Sequence, residues 1–263
     1  MAKIRLDVLL HERGHVPSRV MAKAVIMGGS VFVNGERAIK PGVQVEETAE
    51  LEVRGGKKAK YVSRGGLKLE KALQEFDISP EGKVCIDCGA STGGFTDCLL
   101  QNGAKLVYAI DVGYGQLAWR LRSDPRVIVM ERTNVRNITR DKFEPRPQLA
   151  VIDVSFISLK LVLPAVWEVL ADDGKVICLI KPQFEAGREQ VGKKGVVRDP
   201  AVHARVIEKV AAHASELGLH IAGLDFSPIK GPEGNIEYLG HLQKDKPGTP
   251  EIDIQALVEE SHK

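Results

Sequence analysis

The sequence predicts an α/β protein: a doubly wound, mostly parallel sheet of seven strands, with a small α+β domain at the N-terminus. Three observations carry this. From Val84 to Leu242, short and nearly continuous apolar runs alternate with helical patterns, as in a parallel sheet covered on both faces. The first of those runs leaves into a glycine-rich turn, "IDCGASTGGF". The first 55 residues hold two short helical patterns and several turn-bounded β patterns instead.

Taken in order, Leu6, Val8, Leu9 and Leu10 suggest one short helix, and Ser18 is placed to cap a second over residues 19–27, which Gly28-Gly29 ends. Alternating Val31/Val33 and Leu51/Val53, the Asn34-Gly35 hairpin signal and Pro41-Gly42 read as a small strand assembly. The expected organisation is a first domain over 1–56, a basic linker over 57–62, a body over 63–245 and a tail over 246–263. Residues 67–76 have the spacing of an amphipathic helix. Strands are expected at 84–88, 106–111, 127–130, 149–154, 175–180, 220–225 and 237–242. Helices are expected at 94–102, 114–121, 158–170 and 200–217.

Net charge is only +2, but residues 1–71 hold 14 Lys/Arg against 8 Asp/Glu, so the excess positive charge lies in front. A basic front on a mildly acidic body points to a polyanionic partner. The richest apolar run, Leu161 to Leu170, includes Pro164 and Glu168 and is too short to span a membrane. With no secretory signal at the start, the expected location is cytoplasmic. Cys85 and Cys88 spell C-x-x-C, but on one strand they face opposite ways and cannot share a metal ion. No metal is expected.

The turn after the first body strand contains G-x-S-x-G, a hydrolase signature, at Gly89, Ser91 and Gly93. A serine nucleophile needs a histidine at another strand's carboxyl end, and His203, His213, His220 and His241 all lie elsewhere in the pattern. A dehydrogenase is equally poorly supported, since G-A-S-T-G-G lacks the G-x-G-x-x-G spacing. The glycines still suit a nucleotide-like cofactor at a helix N-terminus, and Asp111 closes the second strand where a carboxylate can accept from ribose hydroxyls. That pairing fits a dinucleotide or S-adenosylmethionine alike. Asp153, Lys181, Glu237 and Lys68 fall at the edge of the same cleft, and a lysine directly after a buried strand calls for a partner.

At these residues a resemblance emerges. The body resembles the FtsJ-type RNA ribose 2′-O-methyltransferases, whose active site is a Lys–Asp–Lys–Glu tetrad. By motif, Lys68 of "SRGGLKL", Asp153 of "VIDVSF", Lys181 of "IKPQFE" and Glu237 of "NIEY" take its places. The segments "RLDVLL", "SRVMAKAVIMGGSVFVNGE" and "KPG" resemble the alpha-L RNA-binding domain, with Arg13, Arg19, Lys23 and Arg37 as RNA contacts. The whole chain thus resembles the hemolysin A family of ribosomal RNA 2′-O-methyltransferases.

The resemblance implies a Rossmann-like sheet and S-adenosylmethionine as cofactor, held by Gly89, Ser91, Thr92, Gly93, Gly94, Phe95, Asp111, Asn134 and Asp153. It implies a cytidine of ribosomal RNA, free or within a subunit, as substrate, and adds Lys57, Lys58, Lys60 and Arg64 as RNA contacts. Lys181 is the candidate to touch the hydroxyl, as base if neutral or as charge stabiliser if protonated. The loop 185–200, rich in glycine and basic residues, is a candidate RNA clamp. Two rivals are a non-catalytic RNA- and cofactor-binding regulator and a pore-forming hemolysin, the latter lacking any membrane segment in the sequence.

Overall fold

The structure is a computed structural model that describes residues 3–53, 60–231, 233–244 and 252–263. The chain divides into two compact units, Met1–Lys60 and Tyr61–Lys263.

The first unit runs β1 (Lys3–Arg5), α1 (Leu6–Glu12), α2 (Arg19–Met27), β2 (Val31–Val33), β3 (Glu36–Ala38), β4 (Gln44–Glu46) and β5 (Leu51–Val53). β1 pairs antiparallel with β4, and β3-β2-β5 form a second small sheet. Asn34 and Gly35, at φ 50° and 83°, make the tight turn of the β2–β3 hairpin. Ser18 caps α2 by accepting from the Met21 amide at 3.2 Å. Leu6, Leu9 and Leu10 of α1 meet Ala22 and Ile26 of α2 over Val31 and Leu51. Asp7 is fully buried and clasped by the Arg5 guanidinium at 3.0 and 3.1 Å, a contact that holds its carboxyl below the usual range.

The second unit runs α3 (Gly65–Glu75), β6 (Val84–Cys88), α4 (Gly94–Gln101), β7 (Leu106–Ile110), α5 (Trp119–Arg122), β8 (Val127–Met130), β9 (Leu149–Ile152), α6 (Leu159–Val169), β10 (Lys175–Ile180), α7 (Pro182–Glu185), α8 (Pro200–Ser215), β11 (Leu219–Phe226), β12 (Tyr238–Lys244) and α9 (Ile254–Ser261). Its sheet has the order β11-β12-β10-β9-β6-β7-β8. β12 is antiparallel to both neighbours, and the pairs among β10, β9, β6, β7 and β8 are parallel. One apolar layer lies under α6 and α8, and a second lies under α3 and α4. Alternation along β6 sends Ile86 and Cys88 into the first and Cys85 into the second, so the two thiols are on opposite faces. Burial pushes the Cys85 thiol up to about 12.

Several elements differ from the sequence expectation. The helix expected over 114–121 shrinks to α5, because Gly113 and the left-handed Gly115 keep the chain before it open. Glu237 stands one residue ahead of β12 instead of opening it. The tail from 246 holds α9, whose Val258 is buried against the first apolar layer, and Ser261 Oγ lies 3.0 Å from the Tyr238 hydroxyl. Tyr61, assigned to the linker, is buried in the second layer with Leu69 and Phe95.

Candidate active site

β6 starts the second unit's sheet at its centre; β7 and β8 continue to one side, β9 and β10 to the other. In such sheets the crevice between the two central strands, at their carboxyl ends, is where ligands bind. Here that crevice lies between the turn after β6 and the segment after β9. Gly89, at φ +90°, sits so close to β9's exit that an added Cβ would lie 2.4 Å from the Asp153 carbonyl oxygen. Gly93, at φ +99°, is the N-cap of α4, and Leu117 and Leu121 fill the space a side chain would need.

A cavity of about 390 Å³ opens beside this turn. Gly89, Ser91, Thr92, Gly94 and Phe95 of the turn line it, together with Lys68, Asp153, Ser63, Arg64 and Lys230. Asp111 does not line the cavity. It accepts from the Ser91 and Gly113 amides, each at 2.7 Å, beside the same turn. That leaves further lone pairs on both oxygens. Asn134 caps the turn after β8, accepting from the Arg136 amide at 3.0 Å.

The four tetrad candidates converge. Lys68 Nζ lies 2.5 Å from Glu237 Oε2 and 4.0 Å from Asp153 Oδ2. Lys181 Nζ lies 2.5 Å from Asp153 Oδ1 and 3.2 Å from Ser155 Oγ. Their order is Glu237–Lys68–Asp153–Lys181, with each acid next to a base. Lys68, Lys181 and Glu237 are each less than a tenth exposed, while Asp153 retains a fifth of its side chain at the surface. Such groups stay charged out of water only if paired, and the alternation supplies the pairs. The amine of Lys181 can thus approach a substrate oxygen without leaving its carboxylate.

Sequence reasoning missed several residues here. Ser155 and Phe156 follow Asp153 directly. Phe156 is 92% exposed at φ +62° and tilts against Phe184, ring centres 5.0 Å apart. A bulky apolar side chain three residues beyond a candidate acid was the available signal. Asp87, fully buried beneath the glycine turn, accepts from the Thr96 hydroxyl at 2.7 Å. Burial raises its carboxyl to about 7, and the nearby Asp153 and Asp111 push the same way. Ser91, the serine of G-x-S-x-G, turns its hydroxyl to Gln116, whereas the buried His203 is engaged by Tyr238 and Val197. No group of three or more His, Cys, Asp or Glu side chains among the described residues is arranged to hold a metal ion.

The matches to known families accord with this geometry. The family model for FtsJ-like methyltransferases matches residues 61–244, most of the chain. The protein belongs to the FtsJ-like methyltransferase family. An S4 domain matches residues 4–51 of this FtsJ-like chain. It is 54% identical to a Bacillus subtilis protein named provisionally as an rRNA methyltransferase, over 99% of this chain and 95% of that one. It is 49% identical to a Mycobacterium tuberculosis 16S/23S rRNA (cytidine-2′-O)-methyltransferase, covering 90% and 88% of the two chains. A solved Streptococcus thermophilus chain, named provisionally as a hemolysin, superposes with TM-score 0.75 at 51% identity, covering 100% of this chain and 96% of that one. No helix among the described residues is long and apolar enough to cross a membrane.

The expected RNA contacts differ in how they are held. Arg19 and Lys23 lie four apart on α2 and are exposed, Arg19 touching Asp7 at 3.5 Å. Arg13 and Arg37 direct part of their guanidinium groups inward, Arg13 to the Ala49 and Glu47 carbonyls and Arg37 to that of Gly29. Lys60 is exposed, and Arg64 is exposed at the cavity edge. Lys57 and Lys58 lie outside the described residues. The loop 185–200 is anchored at its far end, where Asn235 takes the Val197 amide and His203 the Val197 carbonyl.

Proposed function

We propose that this protein transfers a methyl group from S-adenosylmethionine to the 2′-hydroxyl of a cytidine ribose in ribosomal RNA. The observation that carries the reading is the alternating buried row Glu237–Lys68–Asp153–Lys181 beside a glycine turn at the sheet's switch point. The choice of cytidine and of ribosomal RNA follows the activity for which the Mycobacterium tuberculosis relative is named.

The site fits the cofactor. The cavity is within the roughly 300–1,000 Å³ of small-molecule sites, and the Gly89–Gly94 backbone lies open along one side. Gly89, Ser91, Thr92, Gly93, Gly94 and Phe95 would hold it, with Asp111 at its ribose hydroxyls, Asn134 beyond and Asp153 facing its positive end. Bound there, S-adenosylmethionine supplies a methyl group already activated by the sulfonium. The chain's residues then have to orient the hydroxyl and ease the loss of its proton. Lys181 Nζ, held by Asp153 and Ser155, contacts the 2′-oxygen. Lys68, held by Glu237, fixes Asp153 from the other side. Phe156 offers an aromatic face to an unstacked base at the cleft mouth. Arg13, Arg19, Lys23, Arg37, Lys57, Lys58, Lys60 and Arg64 supply cations for the RNA backbone.

Mapping 2′-O-methyl marks on ribosomal RNA from cells with and without this protein tests the reading. One or a few cytidine ribose marks should disappear. An unchanged pattern, or loss of a base methylation instead, would contradict it.

A further inference from the structure

We infer that Glu185 is a positioning residue for methyl transfer, fixing the segment that carries Asp153 against the segment that carries Lys181. The inference deepens the transferase reading and rests on it.

Glu185 ends α7, four residues after Lys181, and is 4% exposed. One carboxylate oxygen accepts from the Ser158 hydroxyl and the other from the Leu159 amide, both at 2.7 Å. Ser158 and Leu159 begin α6, a few residues after Asp153, and Ser158 also caps that helix by accepting from the Lys160 amide at 3.2 Å. The two segments touch elsewhere through Lys181–Asp153, Lys181–Ser155 and Phe184–Phe156. Each of those contacts involves Lys181 or Phe156, the groups that meet substrate on the proposed reading. The Glu185 contact lies at the buried base of both segments and leaves substrate untouched.

The chemistry of the contact is unusual for a stabilising role alone. Burial pushes the Glu185 carboxyl above its usual range, so keeping it ionised there is costly, while Ser158 by itself already caps α6. The carboxylate adds a two-pronged tie whose length is set within hydrogen-bond tolerance. Phe156 sits between the tie and Asp153 in a left-handed conformation, which is costly for a bulky residue and persists only where both flanks are fixed. From α8, Lys209 donates to the Glu185 carbonyl at 3.0 Å, so the backbone at the tie is held as well.

The test uses the full-length protein with S-adenosylmethionine and ribosomal RNA, and reads the single-turnover rate at saturation, the cofactor Kd and the Tm. Glu185→Ala should slow transfer about tenfold or more with the cofactor Kd held within about twofold. Glu185→Gln keeps an acceptor for Leu159 and a donor for Ser158, and should return the rate to within about threefold of wild type. Ser158→Ala should fall between, and the Glu185→Ala/Ser158→Ala double variant should be no slower than Glu185→Ala.

Glu185→Ala at the wild-type rate would overturn the inference. So would a rate loss matched by lost cofactor affinity or folded fraction and not rescued by glutamine. Should Glu185→Ala fail to fold, Ser158→Ala decides, since a wild-type rate there overturns the tie. A wild-type protein inactive on every ribosomal RNA substrate would instead retire the transferase reading itself.

Discussion

In the unit that begins at Tyr61, two lysines and a glutamate are buried with Asp153 beside a glycine turn. In the unit that ends at Lys60, Arg19 and Lys23 stay exposed and an acid, Asp7, is buried. The contrast follows from the cores. A seven-stranded sheet with apolar layers on both faces can exclude water around four charges and still have a cleft at its strand ends. The first unit has one small apolar cluster and cannot shelter such a set. Arg19 and Lys23 face solvent, where charges of this kind can attract a polyanion at a distance and are screened by salt. On the proposed reading, bond-making belongs in the larger unit and the smaller one contributes attraction.

The contrast can be broken most sharply at Asp153, the acid that touches both lysines. Asp153→Asn should lower methyl transfer by about a thousandfold or more, because Lys181 loses its charged partner and Lys68 keeps only Glu237. Retention of a tenth of the activity would show that the row is structural. The next largest effect is expected at Gly89. A Cβ there meets the Asp153 carbonyl in a left-handed backbone, so Gly89→Ala should weaken cofactor binding by roughly tenfold or more by calorimetry. Unaltered affinity would detach the turn from the cofactor.

On the smaller unit the effects should be gentler. Arg19→Ala with Lys23→Ala should leave the saturated transfer rate alone, weaken RNA binding severalfold and lower the slope of log K against log salt by about two. An unchanged slope would move the RNA contact elsewhere. The smallest effect concerns Asp87. Its carboxyl titrates at about 7 in the folded chain, above its unfolded value, so the folded state holds the extra proton between roughly pH 4 and 7. Stability from this group is therefore full below about pH 4 and declines as pH rises to 7. Asp87→Asn should flatten that decline in Tm, and an identical pH profile would show that the carboxyl does not titrate there.

The sheet was readable because burial on both faces writes near-continuous apolar strands. Lys68, Asp153, Lys181 and Glu237 were legible as a group at the cleft edge from where they fall against those strands, and as a tetrad only through the family resemblance. Other features look ordinary in one dimension. Asp7, Asp87 and Glu185 resemble surface acids until Arg5, Thr96 and Ser158 are brought to them. α9 went unread behind Pro247 and Pro250, although Ile254, Leu257 and Val258 carry helical spacing. The helix expected at 114 was shortened by Gly113 and Gly115, whose effect depends on the turn they open beside Asp111.

The central claim is that the Lys181 amine, held by Asp153, acts on a ribose hydroxyl. The most direct measurement is transfer of labelled methyl from S-adenosylmethionine to ribosomal RNA by wild type and Lys181→Ala at matched cofactor occupancy, with the label located by nucleoside analysis. Wild type should place it on the 2′-oxygen of cytidine and the variant should place none while binding cofactor equally. Label on a base, or transfer surviving in the variant, would contradict the account.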